Sequence, residues 1–213
     1  MVINMVETAT CGEFLTRLAS DAPTPGGGGA SALCGAIGAA LVSMVANLTS
    51  GRKRYAEYQA DIERILVRAE QLRVQLLKLA DRDAEVFEPL SKAYGLPTDT
   101  DEQKAHKEAV MEAALYAACL VPIELLERAV EVLALHEELV VKGSRLLISD
   151  VGVGAAALRA AISGASLNVY INTKSMKNAA RAAELNAKAD GLVCDGTARC
   201  DKVFDAVLAA VRK

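Results

Sequence analysis

The sequence predicts an all-α protein, a single-domain helical bundle, on three observations. Of its 213 residues 52% are hydrophobic, yet only 4% are aromatic and none is tryptophan. About forty are alanine, and Leu, Glu, Lys and Arg supply much of the rest, side chains that lose little rotamer freedom in a helix. Apolar residues recur at i, i+3, i+4 and i+7 rather than alternating, which is the helical period. The same profile excludes disorder, collagen and a disulfide scaffold. A chain of this length can bury about 70% of the surface it exposes unfolded, so it needs no staples.

Each element has a local reason. Thr10 with Glu13 forms a capping-box pattern ahead of a short helix that should end near Ala22-Pro23, because the residue before proline disfavours the α region. The loop Thr24-Pro25-Gly26-Gly27-Gly28-Gly29 follows and opens into a second helix over 30–49. From Tyr55 to Tyr94 the positions Ile62, Ile65, Leu66, Ala69, Leu72, Leu76, Leu79 and Ala80 mark a long amphipathic helix, stopped by Gly95 and Pro97. Another pattern runs from Thr100 towards Leu139, where Pro122 predicts a kink or a split. Two Ala-rich helices over 144–163 and 168–188 and a last one over 197–212, after a break at Asp190-Gly191, complete the chain. Nothing in the composition demands a second domain or a linker.

Charge and cysteine usage narrow the function. A formal charge of −3 provides no basic field for nucleic-acid phosphates, so no nucleic-acid partner is expected. The five cysteines form no CxxC pair and only His106 and His136 could join them, so neither a zinc site nor a disulfide framework is expected. The N-terminal stretch lacks a basic region followed by an apolar core, and a reducing cytoplasmic location is expected. No charge occurs between Asp21 and Arg52, and residues 30–48 are long enough to span a bilayer. The glycines and alanines in that run add little transfer energy, and no second such run stands out in the sequence. A buried central helix, not a membrane span, is therefore predicted.

Two glycine motifs need a reading. Gly26, Gly27 and Gly28 before a helix suit a backbone that closely approaches a ligand, with free N–H groups and the positive end of the dipole exposed. They are no phosphate loop, since neither the Gly-Lys-Ser/Thr ending nor a preceding strand is present, and a plain turn would look the same. Gly152-Val153-Gly154-Ala155-Ala156-Ala157 matches GxGxxA, but a dinucleotide fold needs alternating strands that are absent here.

Several polar residues fall on apolar faces. Asp83 lies four residues after Leu79 and four before Phe87, on the apolar stripe, which Asp81 and Glu85 do not share. Burying its carboxylate is costly unless it is paired, so it is either bonded to a helix end or an arginine, or it is chemically used. Asp150 raises the same question and could equally cap a helix. Asn168 and Asn172 stand i, i+4 and would project from one face, where both amides could grip a planar heteroaromatic amide. Asn47 sits near the end of the uncharged helix, and the cluster containing Arg52 and Lys53 follows it, placed either to meet an anion or simply to complement the helix terminus.

The blocks DAPTPGGGGASALCGAIGAALVSMVANLTSGRKRY, DRDAEVFEPL, YGLPTDT and SDVGVGAAALRAAISGASLNVYIN together resemble the cyclodeaminase/cyclohydrolase family, over essentially the whole chain. That family comprises the C-terminal half of formiminotransferase-cyclodeaminase and stand-alone methenyltetrahydrofolate cyclohydrolases. The resemblance implies an all-helical homodimer acting on a tetrahydrofolate, with no cofactor beyond that substrate. The family's essential acid falls on Asp83, and Asp81 matches the first aspartate of the same block. This chain has Leu96-Pro97-Thr98 where the family often has Leu-Pro-Lys, which puts one cationic folate contact in question and leaves Arg52, Lys53 or Arg54 to meet the glutamate tail. The expected activity is hydrolysis of 5,10-methenyltetrahydrofolate to 10-formyltetrahydrofolate, with Asp83 as base. Gly26, Gly27, Gly28, Asn47, Arg52, Lys53, Asp150, Asn168 and Asn172 would contact the substrate. Cyclodeamination of 5-formiminotetrahydrofolate is the competing activity, and a non-catalytic helical interaction module is the competing class.

Overall fold

A computed structural model describes residue 6 and residues 8–213, in which six α-helices and no strand occur. They are α1 (Cys11–Leu18), α2 (Gly27–Thr49), α3 (Gln59–Tyr94), α4 (Asp101–Lys142), α5 (Ile148–Thr173) and α6 (Ala179–Val211). The Thr10 hydroxyl accepts from Glu13 N–H while the Glu13 carboxylate accepts from Thr10 N–H, so the expected capping box starts α1. The same device at Thr100 and Gln103 starts α4. Helix α1 stops at Leu18, earlier than the proline signal suggested.

Helix α2 is the spine. It packs on α3 along one side and on α5 along another, antiparallel to α5, so that Gly27 faces Asn168 and Gly38 faces Leu158. A Cβ at Gly38 would stand 2.7 Å from Leu158 Cγ, which is why the contact needs a residue without a side chain there. One continuous apolar core, including Val42, Leu72, Leu76, Leu126, Leu133, Leu158 and Ile162, draws on all the long helices.

Three expected breaks do not occur, for separable reasons. Helix α4 passes unbroken through Pro122, because the proline is buried among apolar residues and the carbonyl it orphans, that of Ala118, accepts from the Asn172 amide at 3.4 Å. Helices α5 and α6 continue through the intervals at 163–168 and at Asp190-Gly191. Gly191 is exposed and costs only about 1 kcal/mol of propensity, less than the packing of Leu185, Ala189, Cys200 and Val203 on either side recovers. Asp81 is also a correction: it is more buried than Asp83, because the segment before α1 covers that face of α3 and Val6 N–H donates to its carboxylate at 2.7 Å. Finally, among the described residues three helices rather than one are long and apolar enough to cross a membrane by length and composition, α2, α4 and the segment 145–173.

Candidate active site

Where the N-terminus of α2 meets the middle of α3 and the last turns of α5, Pro23, Thr24, Gly26, Gly27 and Gly28 face Asp83, Val86, Phe87, Ala118, Asn168, Ile171 and Asn172 across a cleft of about 160 Å³. Helix α3 brings Asp83 here because its preceding turns, Leu72, Leu76 and Leu79, are fully buried against the spine and fix its rotation. The first N–H groups of α2 have no side-chain cap, and the Asp83 carboxylate, from another helix, comes close enough to the Gly29 N–H for that group to favour its ionised form. Burial pushes the Asp83 pKa above its ordinary value of 3.8, and the Gly29 N–H acts in the opposite, smaller sense. Among the described residues no lysine or arginine forms an ion pair with Asp83, so its carboxylate is partly buried beside the α2 N-terminus without a cationic partner.

Gly28 is what permits this approach. A Cβ there would stand 2.2 Å from Asp83 Oδ1 and 2.4 Å from its Cγ, inside any van der Waals contact. Gly27 sits over Asn168, 3.8 Å from both amide heavy atoms by the same construction. The Asn168 amide donates to Gly164 O at 2.9 Å, and the Asn172 amide to Asn168 O at 2.9 Å and to Ala118 O. Both Asn172 N–H groups are spent on helix carbonyls and Asn168 keeps one N–H beyond its bond to Gly164 O, so the pair offers two positioned oxygen acceptors and one donor. Acceptors of that kind suit a flat heterocycle that presents N–H donors.

Of the sequence-predicted residues, Asp83, Gly26, Gly27, Gly28, Asn168 and Asn172 converge on this cleft. Asn47, Arg52, Lys53 and Asp150 do not reach it within one chain. Asn47 lies nineteen residues along α2 from Gly28, about 28 Å at the helical rise, and Arg52 and Lys53 lie beyond it. Asp150, in the first turn of α5, is about 27 Å from Asn168 for the same reason. Sequence reading overlooked Phe87, which forms part of the cleft wall, and the Ala118 carbonyl. The signal for the first was its i+4 spacing from Asp83; for the second it was Pro122, whose missing N–H frees the carbonyl. No cluster of three His, Cys, Asp or Glu side chains that could hold a metal occurs among the described residues.

A sequence model described as formiminotransferase-cyclodeaminase matches residues 10–191. The chain belongs to this family. Within the formiminotransferase-cyclodeaminase family it is 42% identical to the methenyltetrahydrofolate cyclohydrolase of Methylorubrum extorquens, over 97% of this chain and 100% of that one. It is 32% identical to the formimidoyltransferase-cyclodeaminase of Sus scrofa over 90% of this chain, but spans only 36% of that longer protein. The crystal structure of formiminotetrahydrofolate cyclodeaminase from Thermotoga maritima superposes with a TM-score of 0.81 at 28% identity, covering 95% of this chain and 99% of that one.

Proposed function

We propose that the protein hydrolyses 5,10-methenyltetrahydrofolate to 10-formyltetrahydrofolate. The observation that carries this reading is a half-buried carboxylate, Asp83, without a cationic partner at the cleft between a glycine helix N-terminus and two fixed amides. It is supported by the similarity along the whole chain to a methenyltetrahydrofolate cyclohydrolase. The substrate's amidinium is a delocalised cation, so it supplies the positive charge that Asp83 lacks and favours its ionised form.

In the reaction, Asp83 accepts a proton from water as its oxygen bonds to the carbon between N5 and N10, giving a neutral tetrahedral adduct. The carboxylic acid then returns that proton to N5 as the C–N5 bond breaks and the adduct hydroxyl loses its own, leaving the formyl group on N10. One proton is released overall. A carboxyl tuned towards neutrality serves both steps, a contribution of about 10²- to 10⁴-fold. Asn168 and Asn172 orient the pterin, and the glycines let the ring system lie against the backbone. No step calls for a metal or redox cofactor.

The Thermotoga structure favours a second reading, cyclodeamination, in which N10 attacks the formimino carbon of 5-formiminotetrahydrofolate and Asp83 protonates the departing ammonia. Both reactions work the same carbon in the same cleft. Supplying purified protein with methenyltetrahydrofolate and following loss of the methenyl absorbance, beside formiminotetrahydrofolate with ammonia detection, separates them. Acceleration of the first selects the cyclohydrolase, of the second alone the cyclodeaminase, and of neither removes both.

The proposal extends to a cytoplasmic homodimer without membrane or nucleic-acid partners. Support for the dimer is a charge-free surface running along α2 and α5, where Leu33, Leu41 and Met44 are half-buried and Ile37, Leu48, Val153, Leu167 and Ile171 are exposed. Ile171 belongs to both this surface and the cleft, so a second copy seated on it would border the active site. The five free cysteines fit a reducing compartment.

A further inference from the structure

The Asp83 cleft does not end at Phe87. A second cavity of about 380 Å³ shares Pro23, Thr24 and Phe87 with it and continues along α3 past Ala84 and Glu88 to Ser91 and Lys92. We infer that this extension holds the p-aminobenzoyl-glutamate arm of the folate, with Phe87 against the ring and the Lys92 ammonium on the glutamate carboxylates. The inference rests on the tetrahydrofolate reading above and locates the part of the substrate remote from the reacting carbon.

The geometry supports the assignment. Lys92 lies nine residues after Asp83, about 13.5 Å along the helix axis. Helical side chains lean towards the N-terminus, and Lys92 Nζ sits 2.7 Å from Glu88 Oε1, one turn back towards Asp83. A para-substituted ring and an amide carry the first carboxylate roughly 10 Å from the one-carbon centre by ordinary covalent lengths. Nine residues also set Lys92 half a turn round α3 from Asp83, so its ammonium stands at the axial level the carboxylate reaches, on the far rim of the cavity that wraps from Phe87 past Ala84 and Ser91. Phe87, on the wall common to both cavities, offers an apolar face where the ring must pass. Glu88 holds Lys92 in the free protein through an exposed i, i+4 pair, a weak contact that a substrate carboxylate can replace. Arg52 and Lys53, at the opposite end of α2, cannot do this within one chain, and the cleft lined by Lys104, Lys107 and Lys177 shares no wall residue with either cavity.

The test compares mono- and triglutamylated 5,10-methenyltetrahydrofolate as substrates of the wild type, Lys92→Ala, Lys92→Arg, Glu88→Gln, Lys104→Ala and an Arg52→Ala/Lys53→Ala double variant. Lys92→Ala should raise KM roughly fivefold, the size expected of one exposed charge-assisted contact, with kcat held within twofold. Lys92→Arg should restore KM, Glu88→Gln should lower it by removing the competing carboxylate, and Lys104→Ala should leave it unchanged. The Lys92 effect should shrink as salt rises. An unaltered KM in Lys92→Ala, or a KM rise confined to the Arg52/Lys53 variant or to Lys104→Ala, overturns the inference while leaving the activity standing. Absence of wild-type turnover instead removes the folate reading itself.

Discussion

Replacing Gly28 by alanine should separate catalysis from stability. The added methyl would lie 2.2 Å from Asp83 Oδ1 and 2.4 Å from Cγ and Oδ2, whereas ordinary contact begins at 3.4 Å, so the carboxylate must retreat by more than 1 Å. That retreat takes the carboxylate away from the α2 N-terminus and from the water it activates. A misplacement of about 1 Å costs on the order of 10²-fold in rate. Stability changes little, because the helix gains about 1 kcal/mol from alanine over glycine, against an overpacking cost of about 1–3 kcal/mol, which Asp83 relieves by rotating into the open cleft. The assay is loss of the methenyl absorbance under saturating and limiting substrate, with thermal unfolding followed by circular dichroism on the same preparations. The expected result is a fall of about a hundredfold in kcat/KM with Tm within a few degrees of wild type. Full activity in Gly28→Ala would refute the claim that Asp83 must sit against the α2 N-terminus; global unfolding would show that the glycine serves packing instead.

Asp83→Asn should keep the fold and lower kcat at least about tenfold, since the amide still fits beside Gly29 but cannot accept the proton; unchanged turnover would exclude Asp83 as the base. In the wild type, kcat/KM should fall on acidification through a pKa above the ordinary carboxylate 3.8, because burial raises the Asp83 value and only the ionised form accepts a proton. A pH–rate profile flat down to the ordinary value would remove the buried base. Away from the site, His136 is fully buried, shares its Nε2 with Gly38 O at 3.0 Å and leaves Nδ1 without a partner. Burial depresses its pKa from 6.5 to about 4, so the folded state resists a proton that the unfolded chain accepts. Its contribution to stability is therefore fully present above about 6.5 and is lost as pH falls towards 4, on the order of 3 kcal/mol across that window. Denaturant titrations of the wild type and of His136→Gln between those pH values should converge in acid; parallel curves would contradict the assignment.

The fold was legible wherever one helix face suffices to explain a pattern. The capping box at Thr10, the helix start at Thr100, the long stripe from Ile62 to Ala80 and the buried small-residue helix after the glycines are all local signals, and each recurs in the structure. The misread boundaries are places where a local signal was outweighed by a distant partner. Pro122 does orphan a carbonyl, as its chemistry requires, but Asn172 answers it from another helix. Asp81 lies off the apolar stripe of α3, yet Val6, seventy-five residues earlier, covers it from another part of the chain.

The candidate site divides in the same way. Asp83 on an apolar stripe, four glycines before a helix and two asparagines one turn apart were each visible as exceptions to composition, since a side chain's face on its own helix follows from the 3.6-residue period. The sequence by itself therefore determined the helical class, the family resemblance and which residues were unusual. Only the tertiary structure decided which of them meet. The antiparallel setting of α2 and α5 puts Gly27 beside Asn168 and sends Asn47, Arg52, Lys53 and Asp150 to the opposite end, because a rigid helix of about twenty residues separates its two ends by roughly 30 Å. Proximity along a chain is set by covalent bonds, whereas proximity in a bundle is set by which surfaces pack, and that depends on every helix at once.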